Sequence, residues 1–474
     1  MRRTPIVIGL VGALGLGGYA VADAYDLVPG IITLAPVAAA SSASAAPTPS
    51  SSAVIPVAAP APTLKAAARA PIPTAAGLAA ALDPVVADQR LGGSVGASVR
   101  DAVTGKELYA VGASTPRTPA SLVKLLAAAV IVDTIPAEPT SVTRVWVDKT
   151  SGTVTLVAGG DLLLAAGKGK ASAVVGRVGI ADLAEDTVTF LASAGLDTVA
   201  LRIDDTFASG EARPKGWENA DFTSGSAVPI TMIGLAKDRP EPGVPAVSDP
   251  AMNALTAFGK ALSSRGITVK GAPTQAVGEL SGDEVSARRG ASLHDVLAYA
   301  LEESDNALIE SLVRMTTYLA NEPAPTVTDA AGFVSKRLPE LGISISGLDI
   351  KDTSGLTRGQ QATTRTISEV LALAASDRLP PLRSLLADLP ISGLSGTLDK
   401  RFAGPDGEAV RGIPRAKTGT LIGTSNLAGW TVTQDGRPLL FTVLADHTGG
   451  WEGTEPARAA LDRFAAVLTE CGCR

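Results

Sequence analysis

Three short motifs each occur once in this chain and follow one another along the sequence. They are Ser121-Leu-Val-Lys124, then Ser304-Asp305-Asn306, then Lys417-Thr418-Gly419. A serine hydroxyl becomes a useful nucleophile only when a neighbouring base takes its proton. Residues three apart on a helix share a face, so Lys124 can approach the hydroxyl of Ser121. The first motif therefore predicts a nucleophilic serine with a lysine as its base.

Lys124 acts as a base only if burial and nearby positive charge lower the pKa of its amine. The alternative is an ordinary exposed lysine on a solvated helix. Apolar residues on both sides of Lys124 argue against exposure: Leu122, Val123, Leu125 and Leu126. We therefore predict that Lys124 is buried beside Ser121.

The second motif offers a hydroxyl and an amide. Ser304 can relay a proton toward a leaving amine, and the amide of Asn306 can hold both Lys124 and a substrate carbonyl. On its own, Ser-Asp-Asn is more often a turn or a helix N-cap. Its place between the other two motifs is what favours a catalytic role for Ser304 and Asn306.

The third motif is suited to binding a terminal carboxylate. Lys417 and Thr418 supply a cation and a hydroxyl, and Gly419 lets the backbone of a ligand lie close. On its own, this tripeptide would indicate only a turn before a hairpin. We expect the backbone N–H groups of Ser121 and Thr420 to form the oxyanion hole.

The sequence argues against two other kinds of site. Gly92-Gly93-Ser94-Val95-Gly96 matches the G-x-S-x-G elbow, but an extended segment follows it where the elbow requires a helix. His294 and His447 are the only histidines, too few for a multi-histidine metal site, and no cysteine or carboxylate cluster replaces it. The two histidines also lack the context of a Ser-His-Asp triad. We predict no metal and no other cofactor.

The elements around the first motif are readable from its neighbours. Polar and apolar residues alternate within residues 96–109, and Thr104-Gly105 makes a turn between two extended segments. This pattern predicts a pair of strands. Thr118 is a suitable N-cap, and Pro119 would then occupy the first helical position. Residues 122–135 are apolar on nearly every face, as is typical of a buried helix. Ser121 is therefore predicted in the first turn of a core helix.

The other two motifs have their own supporting elements. Helices are predicted at 292–301, with a capping box, and at 307–319, so the second motif lies on their connection. Segments 427–433 and 439–444 form a predicted hairpin beside the third motif, which lies on an edge strand. An amphipathic helix at 454–468 is predicted to pack on that sheet.

The N-terminal segment predicts export. A positive start, the uncharged stretch 6–22 and Ala22-Asp23-Ala24 together indicate a signal peptide at 1–24. The apolar stretch is at the lower limit for a membrane span, so an uncleaved membrane anchor is the alternative. Residues 25–77 are rich in Ala, Pro and Ser, which predicts a flexible linker. The predicted location is extracytoplasmic, in the cell wall or on the outer face of the membrane.

The remaining chain is long enough for two domains. The segment 142–290 separates the first two motifs and has strand-like pieces at 154–157 and 199–203. We predict that it is an inserted domain, within a catalytic domain formed by 78–141 and 291–474. We also expect that the inserted domain is not needed to build the active site.

Charge and cysteine content limit the partners. The formal net charge of −6 and the lack of a basic cluster argue against nucleic acid. Cys471 and Cys473 are the only cysteines. Export permits a disulfide, but a Cys-x-Cys bridge is geometrically tight, so the oxidised and reduced forms both remain compatible with the sequence.

The motifs resemble those of the D-alanyl-D-alanine carboxypeptidase/endopeptidase family, the class C low-molecular-mass penicillin-binding proteins. Residues 118–124 resemble its P-A-S-x-x-K, and 304–310 are similar to its S-D-N-x-x-A-E, with Ile309 replacing the small residue. Residues 352–358 resemble D-x-S-G-L-S-R, and 393–398 resemble G-x-x-G-T-L. The likeness covers about residues 78–474. In one departure, Gly159-Gly-Asp-Leu-Leu-Leu164 stands where the family has G-G-D-P-x-L.

The resemblance implies an α/β (α+β) fold. Its transpeptidase/β-lactamase-like core would combine an antiparallel sheet, flanking helices and a helical subdomain, with a second domain inserted between the first two motifs. It also implies a serine-type D-alanyl-D-alanine carboxypeptidase, with or without endopeptidase activity. The partners implied are peptidoglycan stem peptides, which would acylate Ser121, and β-lactams as covalent inhibitors.

Two other functions share parts of this pattern. A serine β-lactamase of class A would need a glutamate with a positioned water. No Glu-x-x-x-Asn follows the second motif, and Glu340, the nearest glutamate in a similar setting, lacks the asparagine. A catalytically inactive peptidoglycan-binding module is the other alternative, and the three intact motifs argue against it.

Overall fold

A computed structural model describes residues 64–135, 139–275 and 279–474. The predicted signal peptide or anchor, and most of the predicted linker, lie outside these residues. Within the described ranges, no helix is both long and apolar enough to span a bilayer.

The strands are β1 Ser94–Asp101, β2 Glu107–Val111, β3 Thr140–Asp148, β4 Thr153–Val157, β5 Asp161–Leu164, β6 Thr198–Asp204, β7 Ile233–Leu235, β8 Thr268–Gln275, β9 Asp283–Ser292, β10 Arg415–Leu421, β11 Thr424–Val432 and β12 Pro438–Asp446. The helices are α1 Leu64–Arg69, α2 Ala75–Val86, α3 Val123–Thr134, α4 Ile180–Ser193, α5 Asn219–Thr223, α6 Pro250–Ser263, α7 Leu293–Glu302, α8 Asn306–Leu319, α9 Val327–Arg337, α10 Thr364–Ala375, α11 Pro380–Ala387 and α12 Thr454–Thr469.

The central sheet has the strand order β10-β11-β12-β1-β2 and is antiparallel throughout. Successive residues of a strand point to opposite faces, and β12 is apolar on both. Leu439, Phe441 and Val443 pack in one core with α2 and α12. Leu440 and Leu444 pack in a second core with α3 and α10. The predicted hairpin, the terminal helix and the α/β fold class are confirmed.

Helix α3 lies in the larger core, against α8, α10 and α7. Residues from Val123 to Ile131 are all buried, as the apolar pattern predicts. Ser292 caps α7 by accepting a hydrogen bond from the N–H of Asp295. The predicted helices 122–135, 292–301 and 307–319 are therefore confirmed, with small shifts at their ends.

A second sheet has the order β8-β6-β4-β3-β9, and all its strands lie between Thr140 and Ser292. It has its own core, which includes Leu156, Leu201 and Phe258. Its strands β4, β6 and β8 are parallel. None of the strands described in this segment belongs to the central sheet. That the segment behaves as a separate domain stays a prediction.

The predicted linker ends earlier than residue 77. Helix α1 and the start of α2 fall inside it. The guanidinium of Arg437 donates to the carbonyls of Ala67, Ala68 and Ala70 at 3.0, 3.1 and 3.2 Å. These bonds hold a segment whose composition alone predicts an unstructured chain.

The start of α2 contacts the C-terminal segment that follows α12. Cys471 and Cys473 form a disulfide, a state that the sequence left open. The carbonyl of Cys473 accepts a hydrogen bond from the N–H of Thr74 at 2.8 Å. This contact ties the start of α2 to the segment that follows α12.

Candidate active site

Ser121 lies in a short 3-10 turn, Ala120–Leu122, that precedes α3. The prediction that it sits in the first turn of the helix, capped by Thr118, is wrong. The helix cannot extend through Ala120, because that residue has a positive φ of 46°. The turn is shaped by a neighbouring loop, since a Cβ on Gly355 would overlap the carbonyl oxygen of Ala120.

The amine of Lys124 lies beside the Ser121 hydroxyl. Its Nζ is 2.9 Å from Ser121 Oγ, 2.6 Å from Asn306 Oδ1 and 2.6 Å from the carbonyl oxygen of Ser354. A protonated lysine has three N–H donors, and a neutral amine keeps two of them with a free lone pair. The amide and carbonyl oxygens are acceptors only, so a neutral Lys124 would direct its lone pair at the serine proton.

Burial favours the neutral form of Lys124. The side chain is fully buried, and desolvation lowers its pKa to about 8, although the carboxylates of Asp352, Glu310 and Asp305 oppose this shift. Burial also lowers the pKa of Lys417 well below its usual value, and the charge of Lys124 adds to this effect. Two buried amines thus lie in one site, and the charge of Lys124 disfavours the protonated form of Lys417.

The second motif joins α7 to α8 and places Asn306 at the first residue of α8. The Nδ2 group of Asn306 donates to the carbonyl of Ser226 at 2.8 Å, which fixes its Oδ1 toward Lys124. Ser304 is half-buried and has a φ of 57°, a left-handed conformation that is uncommon for a serine. The structure therefore brings Asn306 into contact with Lys124, as predicted, and Ser304 lies two residues before Asn306 in the chain.

The third motif lies on β10, one of the two edge strands of the central sheet. Lys417 is fully buried, and its Nζ donates to the carbonyl of Thr418 at 3.1 Å. The hydroxyl of Thr418 donates to that of Thr397 at 2.9 Å. A Cβ on Gly419 would lie 2.8 Å from the carbonyl oxygen of Pro119. Only glycine lets this strand approach residues 118–122 so closely. We call these residues, which include Ser121, the nucleophile turn.

Thr420 follows on the same strand and pairs with Ser425 of β11. Strand β10 packs against the turn that carries Ser121. The two residues predicted for the oxyanion hole therefore lie on elements that contact each other. Their role as oxyanion donors stays a prediction.

Asn426 is a site residue that the sequence did not reveal. It lies on β11 opposite Gly419. Its Nδ2 donates to the carbonyls of Thr118 and Pro119 at 3.0 and 2.9 Å, and its Oδ1 accepts from the N–H of Ala445 at 3.0 Å. Asn426 thus anchors the nucleophile turn to the sheet. The only sequence signal was an asparagine within a strand, where this residue type is depleted.

Glu310 holds the loop that supplies the carbonyl bound to Lys124. Its Oε1 accepts from the N–H groups of Thr353 and Ser354, and its Oε2 accepts from the Thr353 hydroxyl, all at 2.7 Å. Burial and then the charge of Asp352 raise the pKa of Glu310 to about 8. The family resemblance included Glu310 and Asp352 but gave them no role.

The inserted segment reaches this site. The indole Nε1 of Trp217 donates to Asp352 Oδ2 at 3.1 Å, and the carbonyl of Ser226 holds Asn306. Trp217 and its neighbours share a small core with Ala307 of α8 and with Leu356. The inserted segment therefore contributes contacts to the site, while the expectation that it is not needed to build the site stays a prediction.

The sequence matches the D-Ala-D-Ala carboxypeptidase 3 (S13) family over residues 78–242 and 234–468. Carboxypeptidase DacB of Mycolicibacterium smegmatis is 35% identical over 404 residues, which is 84% of this chain and 85% of that protein. The D-alanyl-D-alanine carboxypeptidase of Actinomadura sp. is 34% identical over 236 residues, which is 47% of this chain and 41% of that protein.

Among solved structures, penicillin binding protein 4 (dacB) from Haemophilus influenzae has the same fold, with a TM-score of 0.65 and 18% identity. The alignment covers 82% of this chain and 98% of that one.

Proposed function

The chain belongs to the D-Ala-D-Ala carboxypeptidase 3 (S13) family, and on this premise we propose that Ser121 is the nucleophile of a serine-type D-alanyl-D-alanine carboxypeptidase. One observation carries the assignment. The buried amine of Lys124 lies 2.9 Å from the Ser121 hydroxyl and is held there by two acceptors that cannot take its place as a base.

The reaction follows from these positions. Ser121 Oγ attacks the carbonyl carbon of the penultimate D-alanine of a peptidoglycan stem peptide, and its proton passes to Lys124. The N–H groups of Ser121 and Thr420 stabilise the oxyanion. The C–N bond then breaks, and the terminal D-alanine leaves with a proton relayed through Ser304. Water hydrolyses the remaining ester and restores Ser121.

Lys417 and Thr418 bind the terminal carboxylate of the substrate. An opposite charge favours the protonated form of a buried amine, so binding of the carboxylate raises the pKa of Lys417 and completes a charge-assisted contact. At a cross-link the leaving group is the amine of a second stem peptide instead of free D-alanine, and cleavage there would be endopeptidase activity. A β-lactam forms the same bond to Ser121, but its leaving nitrogen stays attached, so the adduct is long-lived.

The same proposal includes location. Stem peptides lie outside the cytoplasm, and the positively charged, apolar start of the chain fits export through a signal peptide or retention by an N-terminal anchor. We also propose that residues 142–290 form an inserted domain within the catalytic one.

Labelled penicillin tests the assignment. We expect one acyl group per chain, located by mass spectrometry on the peptide that contains Ser121, and no label on Ser121→Ala. An adduct on Ser94, Ser304 or Ser395 would overturn it. Rapid turnover of the label would indicate a β-lactamase, and no label would indicate a binding module. Release of D-alanine from a pentapeptide, compared with cleavage of a cross-linked dimer, separates the two peptidase activities.

A further inference from the structure

The middle residue of the second motif is held by an arginine from the inserted segment. Arg239 donates from Nε to Asp305 Oδ2 and from Nη2 to Asp305 Oδ1, both at 2.7 Å. The side chains of Arg239 and Asp305 are only 6% and 3% exposed. Asp305 Oδ1 also accepts from the N–H of Leu308 and so caps α8. A bidentate arginine–carboxylate pair fixes orientation as well as distance.

Arg239 is itself anchored. It directly follows the short 3-10 turn Ala236–Asp238. Within that turn, Asp238 accepts a hydrogen bond from Asn253 of α6. The turn that precedes Arg239 is therefore attached to α6 of the inserted segment.

Ser304 is the residue that depends on this anchor. Its left-handed φ of 57° is unfavourable for a serine and persists only where the surroundings enforce it. The next two residues are both held by the inserted segment, Asp305 by Arg239 and Asn306 by the carbonyl of Ser226. Without these contacts the connection between α7 and α8 could relax to an ordinary backbone conformation, which would move the Ser304 hydroxyl.

We propose that Arg239 is a positioning residue for acylation of Ser121, because its pair with Asp305 holds Ser304 and Asn306 in the arrangement that the reaction needs. This inference rests on the proposed function, since the acylation rate is its readout. The hydrogen bonds found for the Arg239 side chain within the described residues go to Asp305. Arg239 acts through the second motif.

The test compares limiting acylation rates with a fluorescent penicillin in folded protein, with the melting temperature measured alongside. Arg239→Gln should slow acylation about tenfold to a hundredfold, since misplacement of a catalytic group by about 1 Å can cost 100-fold. Asp305→Asn should slow it similarly, because asparagine keeps the helix cap but loses the ion pair. The double variant Arg239→Gln/Asp305→Asn should recover part of the rate, because two amides can pair.

Arg401→Gln is the matched control. Arg401 binds Asp462 of α12 through two bonds, and their side chains are 10% and 7% exposed. It should lower the melting temperature but leave the acylation rate of folded protein near that of the wild type. A rate loss equal to that of Arg239→Gln would overturn the proposal.

A second comparison removes Ser304. In the Ser304→Ala background, Arg239→Gln should slow acylation by a smaller factor than in the wild type, because coupled residues are not additive. Equal factors in both backgrounds would mean a merely structural role. If Arg239→Gln does not fold, Asp305→Asn carries the same comparison. If the wild type is labelled and the variants acylate at the same rate as the wild type, this inference alone is overturned. If the wild type is not labelled, the proposed function is overturned with it.

Discussion

Replacing Gly355 with alanine tests whether the loop after α9 shapes the nucleophile turn. Gly355 is in a left-handed conformation with a φ of 84°, and an added Cβ would overlap the carbonyl oxygen of Ala120. Two costs follow. A left-handed alanine costs roughly 1–2 kcal/mol, and overpacking typically costs about 1–3 kcal/mol more. Relief of the overlap requires the turn carrying Ser121 to move.

Gly359 provides a matched control four residues along the chain. Its φ is 76°, but an added Cβ would meet only the flexible end of Lys351, at 3.0 Å from Nζ. Gly359→Ala should therefore lose roughly 1–2 kcal/mol of unfolding free energy from the backbone alone. It should acylate like the wild type, because nothing it contacts carries Ser121.

The assay is urea unfolding of both variants, followed by the rate of penicillin labelling under conditions where each is folded. We expect Gly355→Ala to be the less stable variant and to acylate on the order of 100-fold more slowly, since a displacement of about 1 Å is enough for such a loss. If Gly355→Ala instead matches Gly359→Ala in both measurements, the loop does not shape the turn.

Three further predictions concern the site. Because burial lowers the pKa of Lys124 to about 8, its neutral fraction and the acylation rate should both rise about tenfold from pH 7 to pH 9; a flat profile would argue against Lys124 as the base. Lys417→Ala loses a charge-assisted contact of about 1.5–3 kcal/mol, so release of D-alanine from a pentapeptide should slow roughly tenfold to a hundredfold, and unchanged kinetics would remove Lys417 from the site. Asn426→Ala removes the side-chain partner of the Thr118 and Pro119 carbonyls and of the Ala445 N–H, and a buried group left unsatisfied costs about 1–3 kcal/mol; both stability and labelling should fall, and normal labelling would show that the nucleophile turn needs no anchor.

Local pattern predicted most of the elements that carry the motifs. The apolar run 122–135 gave a buried helix, and the alternating segments near the third motif gave the hairpin and its edge strand. These signals are periodic and short in range, so the sequence contains them directly. The contact between Lys124 and Asn306 followed from the motifs rather than from any periodicity.

What the sequence could not predict depends on contacts between distant segments. The start of α3 shifts because Gly355 packs against Ala120, and a sequence pattern around Ser121 alone indicates a regular helix. Asn426 and Arg239 act through partners far away in the chain, Pro119 and Asp305. Neither residue type, by itself, marks such a contact.

The pairing of β1 with β12 has a consequence for how the chain folds. The two strands are neighbours in the middle of the central sheet, although almost the whole described chain separates them. Closing so long a loop is slow, and pairing of distant segments lowers folding rates. During synthesis the second sheet, between β3 and β9, can assemble while β1 and β2 still wait for their partners. We therefore expect the nucleophile turn and β10, the strand of the third motif, to meet late, so that a chain truncated before β12 keeps the second sheet but cannot be labelled.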